Sequence, residues 1–393
     1  MPFSQAQEGN FPTQMQLMRA NSKAVSFVPL SSFMRGLALV FIFAQLFVFS
    51  QIQAQAPKYS NEFLSIGVGA RGLAMSKAQV ASVNDVTSAY WNPAGLTGIG
   101  DNLQVSAQHA EYFAGIAKYD YVSVGTKIDE SSAVALSMIR FGVDDIPNTT
   151  QLIDQNGQVN YDRITTFSAA DYAFLLSYAK RIGEKGLTLG GNAKVIYRQV
   201  GDMARAWGFG IDVGAQYKFG KWQVGAVGRD ITSTFNSWKY SLDSSTIAVF
   251  QATNNEIPKN GLEVTLPKLS LGIGRKFVIK EKIGIMPELN IDISTDGKRN
   301  VLIPGDPFSI DPNLGLELSY QSIFYIRGGI GNVQRIEAEV GNYNEYTFQP
   351  NIGVGVTIKE LLSIDYALTD IGDQSVALYS NVFSLKLALN RKS

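Results

Sequence analysis

The sequence predicts an all-β protein, a 14-stranded antiparallel transmembrane β-barrel with an N-terminal luminal plug. Three observations carry that prediction. From about residue 101 to the C-terminus, apolar and polar residues alternate in short segments, the period of a strand with two unlike faces. Fourteen such segments can be placed; the count is even, and each is about as long as the nine to eleven residues that a tilted strand needs to cross a bilayer. Their connections alternate between long and tight, a sorting that the equally alternating strands of a soluble sandwich do not require.

Taken in order, residues 1–33 read as a mis-assigned or extended n-region, because Met34 and Arg35 stand directly before the apolar run from Gly36 to Phe49. Residues 34–56 read as a signal peptide, with cleavage expected near Ala54 or Ala56. The apolar run is too short for a retained membrane helix. Residues 57–100 do not alternate. They carry Gly67, Gly69, Arg71 and Gly72, then Asn84 and Asp85, then Trp91, Asn92, Pro93, Ala94 and Gly95. Small residues and turn formers dominate, so this segment is expected to fold tightly inside the lumen as a plug. Gly67, Gly69 and Gly72 also spell the dinucleotide fingerprint, but that motif needs a parallel sheet around it, and the chain downstream has period two. Close backbone packing is the reading that fits.

Residues 101–393 supply the barrel. Strands are expected near 102–110, 118–128, 131–141, 169–181, 186–199, 205–219, 221–230, 266–278, 283–293, 311–321, 323–331, 346–358, 361–370 and 379–390. The clearest is the sixth, where Trp207, Phe209, Ile211 and Val213 interleave with Gly208, Gly210, Asp212 and Gly214. The segments 142–168, 231–265 and 294–310 are long and polar, whereas Asp129-Glu130, residues 182–185, Gly220, residues 280–282 and Ser322 make tight turns. With the first strand running outward, all the long connections lie outside the cell and the tight ones in the periplasm.

Composition narrows the function. Lys plus Arg and Asp plus Glu balance at 34 each, so nothing favours nucleic acid as a partner. There is no Cys, and no ligand cluster points to a metal or other cofactor. The single histidine, His109, shares a strand face with Leu103, Val105 and Ala107 near the outer rim, without a nucleophile in an evident partner pattern. No catalytic residue is assigned. By strand parity Lys194, Arg198, Asp212, Lys218, Glu288, Asp292, Glu317, Asp365 and Lys386 face inward, and Arg71 is placed to pair with one of these carboxylates. Inward apolar positions look few and scattered, with Leu175, Ile196 and Met286 among them. Tyr112, Phe113, Tyr119, Tyr121, Trp207 and Trp222 are assigned mainly to interfacial aromatic girdles. Trp238 and Tyr240, and separately Ile146 and Pro147, fall in long outer loops and are the candidate partner-binding residues.

The run Gly69-Ala70-Arg71-Gly72, then Asn84-Asp85, then Trp91-Asn92-Pro93-Ala94-Gly95-Leu96 resembles the N-terminal region of the PorV/PorQ family. That family comprises outer-membrane proteins of the type IX secretion system in Bacteroidetes, with a FadL-like barrel. Asp365, Tyr366 and Ala367, followed by Phe383 to Leu387, are similar to its last two strands. The resemblance implies a Gram-negative outer-membrane location and a non-enzymatic role. It implies binding to type IX translocon or attachment-complex proteins, to the C-terminal domains of secreted cargo, and to outer-membrane lipid. The shared Asn-Pro-Ala-Gly element also admits a second reading, a FadL-like outer-membrane channel for hydrophobic small molecules.

Overall fold

The structure is a computed structural model that describes residues 60–99, 102–153, 158–183, 186–337, 344–371 and 379–390. The expected leader lies outside the described residues. Seventeen strands form one sheet: β1 Asn102–Tyr112, β2 Ala117–Lys127, β3 Ser132–Asn148, β4 Thr165–Ile182, β5 Leu187–Val200, β6 Ala204–Phe219, β7 Trp222–Arg229, β8 Thr234–Tyr240, β9 Gly261–Thr265, β10 Lys268–Arg275, β11 Phe277–Ile279, β12 Ile283–Ser294, β13 Ser309–Tyr320, β14 Phe324–Glu337, β15 Asn344–Ile358, β16 Leu362–Thr369 and β17 Ser380–Asn390. β11 continues the stave of β10 across Lys276, and the β8–β9 hairpin branches from the outer half of β6. Removing those three from seventeen leaves fourteen staves. β1 pairs with β17 from Asn102↔Asn390 to Glu111↔Asn381, all neighbours are antiparallel, and the barrel closes. Closure leaves its backbone groups paired, the condition for crossing hydrocarbon.

The outer face is apolar because every second residue is. On β6, Trp207, Phe209, Ile211 and Val213 are exposed, Phe209 to 67%, while Gly208, Gly210, Asp212 and Gly214 point inward and are buried. Leu269, Leu271 and Ile273 on β10 and Leu314, Leu316 and Leu318 on β13 repeat the band.

Two of the long segments are partly strand. β3 and β4 pair out to Asn148↔Thr165, so Ile146 and Pro147 belong to a strand rather than a loop. A bulge between Val143 and Ile146, with Asp145 at φ 55°, shifts the register there and hides the strand from a search for strict period two. Within 231–265, Trp238 and Tyr240 lie on β8, and the tip is instead the helix α3, Ser244–Ala252, capped by the Asp243 carboxylate accepting from the Thr246 N–H.

Residues 60–99 pack inside the ring of strands. They contain two short helices, α1 Ala70–Ala74 and α2 Ser88–Trp91, and 3-10 turns over Glu62–Ser65 and Pro93–Gly98. The surrounding wall has two characters. Over β1–β5 a group of inward side chains is apolar, with Tyr119, Tyr121, Ile139, Leu175 and Ile196 buried against Leu73, Tyr90 and Trp91, beside inward polar ones such as Gln108, Ser137, Asn192 and Lys194. Tyr112, Tyr119 and Tyr121 are therefore core residues and not girdle residues. On β2 it is Val122 and Val124 that face lipid, with Lys118 and Asp120 on the same outward parity nearer the rim. Inward apolar positions are thus gathered in one sector, more numerous than parity counting alone suggests. Over β12–β17 the wall is ionic.

Candidate functional site

The contacts between residues 60–99 and the wall form the site. Gly67 and Gly69 have φ of +113° and +76°, and a Cβ on Gly67 would meet the Leu73 side chain at 2.7 Å. The glycine-rich run is thus a tight turn into α1, as close backbone packing requires. Trp91 stacks edge-on against Tyr90 with ring centroids 4.9 Å apart and donates its indole N–H to the Val68 carbonyl at 2.8 Å.

Each residue of the Asn-Pro-Ala-Gly element has a physical reason. Asn92 is fully buried; its Oδ1 accepts from the Ala94 N–H at 3.2 Å, and its Nδ2 donates to the carbonyls of Val80 at 2.9 Å and Ala215 at 3.1 Å. One side chain thereby caps a turn, ties two parts of the segment and joins them to β6. Pro93 opens the 3-10 turn, where a missing N–H costs nothing. Its carbonyl carbon and the Ala94 nitrogen would lie 2.5 Å from a Cβ on Gly190 of β5. Gly95 sits against the Val83 carbonyl, which a Cβ would meet at 2.3 Å.

Charge pairs hold the segment on the ionic side. Arg71 Nε donates to Glu317 Oε2 at 2.8 Å. That same oxygen accepts from Arg327 Nε at 2.7 Å, and Arg327 Nη1 donates to Asp365 Oδ1 at 2.6 Å. The four residues form an alternating chain of charge from α1 across β13 and β14 to β16, and Glu317 is the carboxylate that Arg71 selects. Asp85 accepts from Lys386 Nζ on β17 at 2.6 Å and from the Thr87 hydroxyl at 2.5 Å. Glu288 on β12 accepts from the Ala81 N–H at 2.7 Å.

Other sequence-selected residues sit apart from this network. Asp212 pairs with Lys194 at 2.8 Å and accepts from the Asp230 N–H at 2.9 Å, a cluster within β5, β6 and the end of β7. Asp292 pairs with Lys268 at 3.5 Å and accepts from the Ser270 hydroxyl. Trp238 and Tyr240 stack at 6.0 Å and are half-buried on the inner side of the hairpin. Trp238 donates to Glu263 at 2.5 Å and lies under the Arg198 guanidinium at 5.0 Å. Glu263 also binds Ser60, so the start of the described chain is held at the outer mouth, a link with no sequence signal. His109 is outward and exposed, with Nδ1 2.7 Å from Asp120. Among the described residues no cluster of metal-ligating side chains occurs.

Burial alone would push the Asp85 carboxyl up, but the Lys386 ammonium and the Thr87 hydroxyl outweigh it and hold Asp85 well below the usual carboxylate range. A carboxyl with a depressed folded value stabilises the fold above its unfolded value of about 3.9, and that stability is lost as pH falls through the folded value. Thermal unfolding of the wild type is therefore expected at a clearly lower temperature at pH 3 than at pH 7. Asp85→Asn is expected to lower the pH 7 value and to shrink the difference between the two.

A closed, lipid-faced barrel holding an interlocked N-terminal segment is an outer-membrane β-barrel of the single-chain bacterial class. Residues 50–292 match the family model for the type IX secretion system protein PorV, more than half of the chain, and the chain belongs to that family. Among solved structures it is similar to the CymD monoaromatic hydrocarbon channel, at 13% identity over 83% of this chain and 98% of that one with a TM-score of 0.50. It is also similar to the toluene transporter TodX of Pseudomonas putida, at 12% identity over 83% and 98% with a TM-score of 0.50. A FadL homologue from Pseudomonas aeruginosa aligns at 11% identity over 82% and 98%, with a TM-score of 0.49. Likeness at this identity to CymD and TodX shows the barrel fold alone. No curated protein matches.

Proposed function

We propose that this chain is a non-enzymatic outer-membrane component of type IX protein secretion in a Gram-negative, Bacteroidetes-type envelope. It binds translocon or attachment-complex proteins, or the C-terminal sorting domains of secreted cargo, at its extracellular side. The observation that carries the reading is the PorV match over residues 50–292, which spans the whole interlocked segment. Residues 60–99 act as the plug: bonds to β6, β12, β13 and β17 fix them to several parts of the wall at once. Such a plug keeps the lumen shut while the outer connections do the binding.

The contact surface is the β8–β9 hairpin with α3, together with the β3–β4 extension carrying Ile146 and Pro147. Trp238 and Tyr240 stiffen the hairpin from within, by way of Glu263 and Arg198, and so hold α3 in place. Replacing residues 241–259 with a short Gly/Ser linker is expected to abolish co-purification with secretion components while heat-modifiable barrel migration persists. Unchanged co-purification would sink this assignment.

A second reading, passage of a hydrophobic small molecule, is favoured by the cluster of inward apolar side chains that Tyr119, Tyr121, Ile139, Leu175 and Ile196 form on β2–β5. It also draws on the printed descriptions of CymD as a monoaromatic hydrocarbon channel and TodX as a toluene transporter. Uptake of radiolabelled toluene into proteoliposomes above the empty-vesicle rate would support it.

A further inference from the structure

Above the luminal segment, on the extracellular side, lies a cavity of about 410 Å³, within the range of pockets that hold an organic ligand. Its lining runs along one arc of the wall, from β13 through β17 and β1 to β3. Phe63, Leu73, Tyr112 and Phe141 form an apolar floor where the β1–β3 sector meets the segment. Asp311 at the outer end of β13 and Asp370 just beyond β16 stand on the ionic side.

Neither of these carboxylates has an ion-pair partner within 4.0 Å among the described residues, unlike Glu62, which pairs with Arg299 at 2.8 Å. Asp311 Oδ1 is buried without a hydrogen-bond partner among the described residues. Among the described residues lining the cavity the one ammonium, Lys77, is turned to the Ser65 carbonyl at 2.8 Å. Burial, helped by Lys268, holds its pKa below the ordinary lysine value. Two carboxylates thus face the space with one weakened cation. Both residues are half-buried, and Asp370 also accepts from the Thr369 hydroxyl at 3.1 Å, so a bound cation relieves the part of the desolvation cost that each carboxylate still carries.

We propose that this cavity binds an extended peptide in which an apolar side chain adjoins a Lys or Arg, the apolar group on the floor and the cation between Asp311 and Asp370. Two carboxamides on the same lining already bond to each other, Asn332 Nδ2 donating to Gln349 Oε1 at 2.7 Å while Asn332 Oδ1 accepts from Gln334 at 2.9 Å, so only their remaining hydrogens and lone pairs are left for a peptide backbone. The inference rests on the secretion reading for the origin of the peptide, a secreted or translocon chain arriving from outside, but the site is defined by its own chemistry. A hydrophobe alone would leave both carboxylates uncompensated.

The test uses the purified barrel in detergent and three probes: a fluorescent hexapeptide with a central Phe-Lys pair, its Phe-Glu counterpart, and an uncharged hydrocarbon of similar size. The Phe-Lys peptide is expected to bind saturably, at least about tenfold more tightly than Phe-Glu, because the latter sets like charges together. The doubly isosteric variant D311N with D370N is expected to erase that preference while its heat-modifiable migration stays normal. Equal binding of the two peptides, an undiminished preference in the variant, or saturation by the hydrocarbon alone would overturn the proposal. If the peptides fail and the barrel still co-purifies with secretion components, the site is wrong and the secretion reading stands.

Discussion

Gly329→Val is expected to unseat the luminal segment and leave the barrel closed. Gly329 lies on β14 with the segment pressed against it: an added Cβ would come within 2.3 Å of the Met75 carbonyl carbon and 2.5 Å of the Ser76 nitrogen. Both are backbone atoms, so no rotamer change relieves the clash. Gly315 on β13 is under the same pressure, with the Met75 Cβ and carbonyl oxygen at 2.8 Å, so the segment cannot slide sideways toward that strand. The strand hydrogen bonds of β14 do not depend on the side chain at 329, and Gly329 remains paired with Gly315 and Asn351. Overpacking of this kind ordinarily costs about 1–3 kcal/mol, and here it falls on the segment and not on the wall. Limited trypsin digestion reads the result. Arg71 and Lys77, protected in the wild type, are expected to become cleavable, with heat-modifiable migration retained. Equal protection in both proteins would show that the segment is not seated on Gly329.

The second large effect is expected from Arg327→Ala. Arg327 is almost fully buried and binds Glu317 and Asp365 simultaneously. Its removal leaves Asp365 without its partner and Glu317 with Arg71 alone. Breaking a buried pair from one side costs about 3–5 kcal/mol, because the surviving charge remains desolvated. A marked fall in unfolding temperature is therefore expected, larger than that of Lys118→Ala, whose pair with Asp144 at the outer rim is half-exposed and spans 3.5 Å. A second change, Asp365→Asn in the Arg327→Ala background, is expected to restore part of the loss, since it removes the orphaned charge. Differential scanning calorimetry of the three proteins in one detergent measures both steps. An Arg327→Ala protein as stable as wild type would mean that the ionic wall does not anchor the segment.

How much of this was legible beforehand depends on how well period two survives in each part of the chain. Strands such as Ala204–Phe219, where Trp207, Phe209, Ile211 and Val213 all meet lipid, read directly from alternation. The outer end of β3 did not, because the bulge at Val143 to Ile146 reverses which residues face outward. β8 did not either: Phe235 faces out and Trp238 faces in, so a seven-residue strand carries aromatics on both sides and shows no polarity. Tyr119 and Tyr121 depart from the girdle expectation for a related reason. An aromatic near a strand end suits a membrane interface, yet these two fill the lumen beside a segment whose position parity does not encode.

The ionic site was half legible. Parity placed Glu317, Asp365 and Lys386 inside, and the turn-rich run around Arg71 and Asp85 suggested something for them to hold. Which carboxylate Arg71 takes, and that Arg327 completes the chain, depend on the stagger between strands, which alternation leaves free. The stripe of glycines under the segment, Gly190, Gly214, Gly225, Gly315 and Gly329, carries no alternation signal that sets it apart from other positions on the polar face. It is the space in which residues 75–94 lie against the wall.

The most direct measurement is affinity purification of the tagged protein from its native membrane in mild detergent, with mass spectrometry of both proteins and bound lipids. Recovery of large type IX translocon or attachment subunits, or of cargo bearing C-terminal sorting domains, is expected. Recovery of the barrel alone, with a stoichiometric fatty acid or other hydrophobe, would contradict the secretion reading and identify a transporter.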